Sequence, residues 1–116
     1  MEAKMSNTAI YEQRIYHCMP GRMPDLLKRF ERVTLPIWAR LGIRQAGFWT
    51  VLVGGSNHDL IYMLHWNSMA EREQRWTAFL ADPEWQEKRS QSEQNGALIS
   101  SFSNAFLQPT SFSIAK

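Results

Sequence analysis

A single cysteine, Cys18, leaves no partner for an intramolecular disulfide and argues against a crosslinked, exported scaffold. No stretch approaches the roughly 18 consecutive apolar residues of a membrane-spanning helix, so no membrane span is expected. Charge of one sign is never concentrated: 13 Lys and Arg interleave with 11 Asp and Glu to a net +2. That spreads basicity too thinly for a nucleic-acid footprint, which gathers Lys and Arg along one stripe. The chain has no His-x-x-x-His, no Glu-x-x-His and no second Cys, so no metal site and no cofactor is expected. It has no Gly-x-Ser-x-Gly elbow around Ser100, Ser101 or Ser103, which removes the usual signature of nucleophilic serine catalysis. The opening "MEAKMSNTA" lacks the apolar segment of a signal peptide. Residues 1–7 therefore read as a loose leader, 8–113 as one domain, and the cytoplasm as the default compartment.

Aromatics, by contrast, are abundant. Five Trp, six Phe and three Tyr in 116 residues exceed what one small core needs, so some of them should line a pocket or an interface. "AIYEQRIYHCM" alternates as a first strand, with Tyr11, Gln13, Ile15 and His17 on one face and Ile10, Glu12, Arg14, Tyr16 and Cys18 on the other. "MPDLLKRFERVTLPIWARLG" carries apolar residues at helical spacing from Leu26 to Leu41. Pro24 and Asp25 suit its start and Gly42 its stop, and Pro36 should interrupt it near residues 32–35. "AGFWTVLVGG" and "HDLIYMLHW" read as strands joined by a "GGSN" hairpin. "SMAE" is a capping box in which Ser68 and Glu71 satisfy each other's amides, and Met69, Trp76, Phe79 and Leu80 share one face of the helix it opens. Glu71 and Arg75 are spaced as an i,i+4 pair. "DPEW" restarts the helix with Asp82 as cap, and "ALISSFSNAFLQP" is a last strand. The order β-α-β-β-α-β predicts an α+β, ferredoxin-like fold: a four-stranded antiparallel sheet with its helices on one face.

Such a sheet should be polar on its uncovered face. Here Phe48, Thr50 and Leu52 alternate with Trp49, Val51 and Val53, and Leu60, Tyr62, Leu64 and Trp66 with Ile61, Met63 and His65. Both faces are largely apolar. A monomer would expose a wide hydrophobic patch, so a homodimer packed through the open sheet face is the economical expectation. The competing arrangement is a monomer whose C-terminal tail folds over that face.

Five motifs read together resemble the NIPSNAP family across about residues 10–113: Tyr-Glu-x-Arg-x-Tyr in "YEQRIYHCMPGRMPDLLKRF", Gly-Phe-Trp in "AGFWTVLVGG", Ser-x-Ala-Glu-Arg and Asp-Pro-Glu-Trp in "LHWNSMAEREQRWTAFLADPEW", and Pro-Thr-x-Phe in "AFLQPTSFS". Gln13 departs from the pattern, which favours an apolar residue there, as do His65 and Trp66 at the end of the third strand. The resemblance implies a dimeric α+β barrel, two ferredoxin-like sheets closing around a shared interior. It implies no reaction. Proteins of that fold include cofactor-independent monooxygenases, haem-handling enzymes and stress-responsive proteins, and fold alone does not select among them.

The candidate ligand-binding residues are Glu12, Arg14, Tyr16, Trp49, His65 and Trp66. Glu12 and Arg14 share a strand face and can orient a polar ligand inside the barrel, though a structural ion pair is the plainer reading. His17 and His65 are candidate general bases or haem ligands by residue type, although a lone His among apolar residues is more often a bonded wall. With Arg14, they are the candidate catalytic residues. Trp38, Trp76 and Trp85 read as packing, and Cys18 has no resolving partner. The functional expectation is a dimeric module that binds a small apolar or amphipathic molecule or serves as an interaction domain. The alternatives are a cofactor-independent monooxygenase or isomerase, with Arg14 steadying developing negative charge, and haem binding through one His.

Overall fold

A computed structural model describes residues 9–116; the expected leader, residues 1–7, lies outside the described residues. Strand β1 (Ile10–Cys18) is followed by helix α1 (Met23–Arg29), a π-helical turn (Phe30–Thr34), helix α2 (Leu35–Leu41), strands β2 (Arg44–Thr50) and β3 (Asp59–Trp66), helices α3 (Met69–Leu80) and α4 (Pro83–Ser92), and strand β4 (Ile99–Leu107). The strands form one sheet in the order β2-β3-β1-β4, and every neighbouring pair is antiparallel. This is the ferredoxin-like arrangement expected from the order of elements.

The interruption expected at Pro36 takes the form of the π turn. Proline brings no N–H to the helical ladder. One residue earlier, the Leu35 amide reaches back five residues to the Phe30 carbonyl instead of four. Gly42 ends α2 in the left-handed conformation, φ +78°. Arg75 of α3 lays its guanidinium over it, donating to the carbonyls of Leu41 and Gly42 at 3.1 Å each. Ser68 caps α3 by accepting from the Glu71 amide at 3.1 Å. The reciprocal bond lands one residue earlier than the box predicts: Glu71 Oε1 accepts from Asn67 N, at 2.7 Å, because Ser68 is fully extended, with φ −164°. Glu71 and Arg75 do pair, at 3.2 Å. Asp82 caps α4 through the Trp85 amide, at 3.0 Å.

The first hairpin departs from expectation. Strand β2 begins two residues early, at Arg44, and stops at Thr50 opposite Leu60, so Val51, Leu52 and Val53 belong to a loop and not to the strand. Ser56 closes that loop, its carbonyl accepting from Asp59 N and its hydroxyl from His58 N. Leu52 and Val53 consequently stand in solvent. Within β2 the register skips between Gln45 and Gly47. Gly47 has φ +149°, and a β-carbon there would come within 2.5 Å of the Trp49 ring, so the bulge lets that ring fold over the strand.

The core lies between sheet and helices. Leu60, Tyr62, Leu64 and Trp66 of β3 are all buried against Leu26, Phe30, Ile37 and Trp38 of the first helical run and Trp76 and Phe79 of α3. Met69 and Leu80, expected on the same buried face of α3, are exposed. Phe48 stacks on Tyr62 with centroids 4.8 Å apart, which places Phe48 on the helix side and Trp49 on the other.

The open face carries Tyr11, Gln13, Ile15 and His17 of β1 and Ile61, Met63 and His65 of β3, all half-buried by their strand neighbours, with Trp49 of β2 and Leu107 of β4 exposed beside them. The tail meets this face at Tyr11 but packs neither of its large apolar side chains on it. The Lys116 carbonyl accepts from the Tyr11 hydroxyl at 3.0 Å, but Phe112 and Ile114 are 87% and 101% exposed.

Gly42 generates a test of the helix-to-strand turn. A β-carbon would meet Arg75 Nη1 at 1.7 Å in a conformation that L-residues disfavour. Gly42→Ala should cost about 1–2 kcal/mol of unfolding free energy, read from urea midpoints. A loss below about 0.5 kcal/mol, the range of neutral surface changes, would refute this account of the turn.

Candidate functional site

The two candidate faces separate cleanly. Glu12, Arg14, Tyr16 and Trp66 point toward the helices, whereas His17, Trp49 and His65 point to the open face. The six candidate ligand-binding residues therefore do not form one site. Glu12 and Arg14, expected to face a barrel interior, instead lie beneath α3. The correction has a simple cause: alternation assigns Glu12 and Arg14 to one face of β1 with Cys18, and that is the face the helices bury.

Glu12 is completely buried and accepts five hydrogen bonds. Oε1 takes Trp66 Nε1 at 3.0 Å and Arg72 Nε at 3.2 Å. Oε2 takes Arg14 Nη1 at 2.9 Å, Asn104 Nδ2 at 2.9 Å and Arg72 Nη2 at 3.1 Å. Burial by itself would push this carboxyl up. The bonds from Arg72 and Asn104 and the charge of Arg14 outweigh that and hold it below the ordinary carboxylate range. Glu12 is thus a saturated acceptor with no lone pair left for a proton from substrate.

Arg14 is 5% exposed, and its Nε donates to the Tyr62 hydroxyl at 2.8 Å. Its guanidinium carbon lies 4.6 Å from the Trp76 ring centroid and 4.9 Å from that of Phe102. Burial opposes its charge, but Tyr62, Tyr16 and Glu12 raise its already high pKa, so it stays a cation. Burial raises the Tyr62 hydroxyl well above its usual range, so Tyr62 serves as a neutral acceptor.

Beside Arg14 opens a cavity of about 410 Å³ between the β1–β4 half of the sheet and helices α3 and α4. Its apolar wall is Tyr16, Trp76, Phe79, Trp85 and Phe102; its charged groups are Arg14, Arg29, Arg89 and Glu93. The cavity exists because α3 and α4 bury Trp76 and Trp85 but leave the helix-side residues of β4 uncovered, with Phe102 and Phe106 exposed. The volume lies in the range of small-molecule sites, and an aromatic wall with few polar groups is their usual lining.

The open face offers different chemistry. His17 Nδ1 lies 2.7 Å from Asp59 Oδ1. A carboxylate accepts only, so Nδ1 carries the proton and Nε2 of a neutral ring is the acceptor, the tautomer a general base requires. His65 packs edge-on to Tyr11 at 5.1 Å, and Arg44 Nη2 lies 3.4 Å from its Nδ1. Trp49 is 50% exposed. Cys18 is buried, and burial together with Asp59 pushes its thiol up, away from redox reactivity. Among the described residues no cluster of three His, Cys, Asp or Glu could hold a metal, and no helix is long and apolar enough to cross a membrane.

Sequence reading missed Arg72, Asn104, Arg29, Arg89 and Glu93. Arg72 was within reach: it lies four residues before Trp76 on α3, and its guanidinium stacks 5.5 Å from that ring. The others sit in polar runs that read as solvated helix or strand faces.

The NIPSNAP family model matches residues 11–114. Among solved structures, a NIPSNAP-like domain protein from Burkholderia xenovorans is 28% identical, with TM-score 0.81, over 92% of this chain and 90% of that one. A NIPSNAP family protein from Agrobacterium tumefaciens is 28% identical, with TM-score 0.82, over 93% and 99%. A second family protein from that organism is 25% identical, with TM-score 0.81, over 93% and 94%. Comparison with curated proteins found no significant match.

The Glu12 cluster yields a pH test. Its lowered carboxyl pKa means that the stability it contributes is fully present above the unfolded value, about 4.3, and is lost as pH falls through the folded value. Glu12→Gln should therefore be less stable than wild type at pH 7, by urea unfolding, and the gap should narrow toward pH 3. A gap that stays constant across that range would show that the carboxylate charge carries none of it. Glu12→Ala, which strands Arg14, Arg72 and the Trp66 N–H, should cost about 3–5 kcal/mol at pH 7.

Proposed function

The chain belongs to the NIPSNAP family, and from that premise we propose that it works as a homodimeric domain that binds a small amphipathic molecule between its sheet and helices. The observation that carries this is the cavity beside Arg14, whose guanidinium is held between the Trp76 and Phe102 rings. A buried cation that is already fixed in place loses little freedom on binding, which favours a ligand over a flexible surface contact.

The dimer rests on the open face. Ile15, Ile61 and Met63 surround Gln13 in its middle, Trp49 stands beside them on the edge strand β2, and the polar pairs His17–Asp59 and His65–Arg44 lie toward its two ends. A mostly apolar centre between polar ends is the anatomy of an interface, and symmetry allows one copy to cover the other. Leu52, Val53, Phe112 and Ile114 project into solvent and would find cover against a second copy. Two sheets closed in this way make the dimeric α+β barrel, with the Arg14 cavity of each chain on its outer, helix-covered side. Its lone, buried cysteine suits the reducing cytoplasm, where we place the protein.

One further reading has a specific observation behind it. The His17–Asp59 pair would face the space between the two sheets, where an oriented imidazole can act as a general base for a cofactor-independent reaction.

Two measurements test these readings. Trp49→Asp puts an unpaired charge on the open face without touching the core, so native mass spectrometry at micromolar concentration should find a folded monomer in place of a dimer. A persisting dimer would exclude the open sheet face as the interface. For the cavity, Ala97 lies on its wall and is exposed, so Ala97→Trp should fill the space and spare the fold. Nile red, a neutral dye whose emission rises in apolar surroundings, should bind wild type once per chain and the variant about tenfold more weakly. Equal binding by the two proteins would place the dye elsewhere and sink the cavity reading.

A further inference from the structure

We infer that the ligand of this cavity is an organic monocarboxylate, with its acid group beside Arg29 and Arg89 and its apolar body against Trp76, Phe79 and Phe102. The inference rests on the reading of the cavity as the binding site and adds the chemical class of what fills it. Three arginines and one glutamate are the charged groups of the wall, so the cavity carries an excess of positive charge. Glu12 offsets part of that excess, because Arg72 is also met by Glu73; what is left is the pair Arg29 and Arg89 sharing the single carboxylate of Glu93.

Arg29 is the informative residue. It is 6% exposed, yet its Nε is buried without a hydrogen-bond partner among the described residues. Leaving a buried charged donor unmet is costly, and a small turn of the Arg29 side chain toward the cavity would let a ligand oxygen meet it. Among the described residues two other buried side-chain atoms lack partners, Thr34 Oγ1 and Trp38 Nε1, but neither residue lines the cavity. The Arg29 guanidinium also lies 5.3 Å from the Trp85 ring centroid, which fixes its plane.

Glu93 already shows what the site recognises. Its Oε2 lies 3.0 Å from Arg29 Nη1 and 3.7 Å from Arg89 Nε, a carboxylate between two guanidiniums at the cavity edge. One carboxylate cannot saturate two forks of five donors each. A second carboxylate entering from the cavity would find Arg29 Nε and the remaining donors of Arg89 unclaimed by the first. Such charge-assisted bonds are shorter and stronger than neutral ones; Arg29 would make its share away from water, while Arg89 is 58% exposed. The neighbouring aromatic rings accept an aliphatic or aromatic body equally well, so the charge of the head group is the selective feature.

The test compares three amphiphiles of one chain length as competitors of Nile red: decanoate, 1-decanol and decyltrimethylammonium. Decanoate should displace the dye at a concentration about tenfold lower than decanol, with the ammonium weakest of the three. Glu93→Gln removes the internal competitor and should strengthen decanoate by about threefold while leaving decanol unchanged. Arg89→Met, at an exposed position, should erase most of the preference; Arg29→Met should do the same where it folds, and the other two variants decide the matter where it does not. Decanol equal to decanoate on wild type would overturn the monocarboxylate assignment and leave the cavity reading standing. Failure of all three competitors, with the dye still sensitive to Ala97→Trp, would overturn the assignment as well. Dye binding insensitive to Ala97→Trp would remove the cavity reading itself.

Discussion

The buried carboxylate of Glu12 is the constraint around which the rest is arranged. A single anion with no exposed surface gathers donors from β1, β3, β4 and α3: Arg14, Trp66, Asn104 and Arg72. Burying a charge is expensive unless every lone pair is met, and here each oxygen meets at least two donors. This satisfaction fixes which side of β1 faces the helices, since slipping the strand by one residue would turn Glu12 and Arg14 together to the open face, away from Trp66 and Arg72. It also sets the orientation of Arg14, because Glu12 and the Tyr62 hydroxyl hold two of its three nitrogens. The cavity wall inherits its cation from the packing of the core.

A sheet that is apolar on both sides divides its work. The helix side buries Leu60, Tyr62, Leu64 and Trp66 and ends, toward β4, in a space the helices do not fill. The open side keeps Trp49, Ile61 and Met63 available to another surface. Strand alternation makes the two sides independent, so residues adjacent in sequence, such as Tyr16 and His17, serve different environments. Arg29 draws its setting from a different source. It closes α1 just before the π turn that begins at Phe30, and the turn's five-residue reach changes which later residues share its helix face.

Much of the fold was legible before any coordinates. The capping residues Ser68 and Asp82, the stop at Gly42, the break ahead of Pro36 and the alternation of β1 and β3 are local signals whose effects are local, and each lands where the chain places it. The errors share one cause. Val51–Val53 looked like strand because their side chains favour it, but a strand lasts only as long as its partner, and β3 starts at Asp59. Leu80 matched the buried stripe of α3, yet it is the last residue of the helix and stands about half exposed. The candidate residues were grouped by chemistry, and the sheet then sorted Glu12, Arg14, Tyr16 and Trp66 to one side and His17, Trp49 and His65 to the other.

By itself, then, the sequence determined the order and type of the elements, the apolar character of both sheet faces and the family to which the chain belongs, because periodicity, caps and motifs are written along the chain. Only the tertiary structure decided that Glu12 is a saturated anchor, that Arg29 and Arg89 of separate helices meet Glu93 at the rim of one cavity, and that His17 finds Asp59 across a strand pair. The physical reason is that charge pairing and enclosed volume depend on distances between residues far apart in sequence. Arg29 and Glu93 lie 64 residues apart in the chain and 3.0 Å apart in space, and no local pattern carries that proximity.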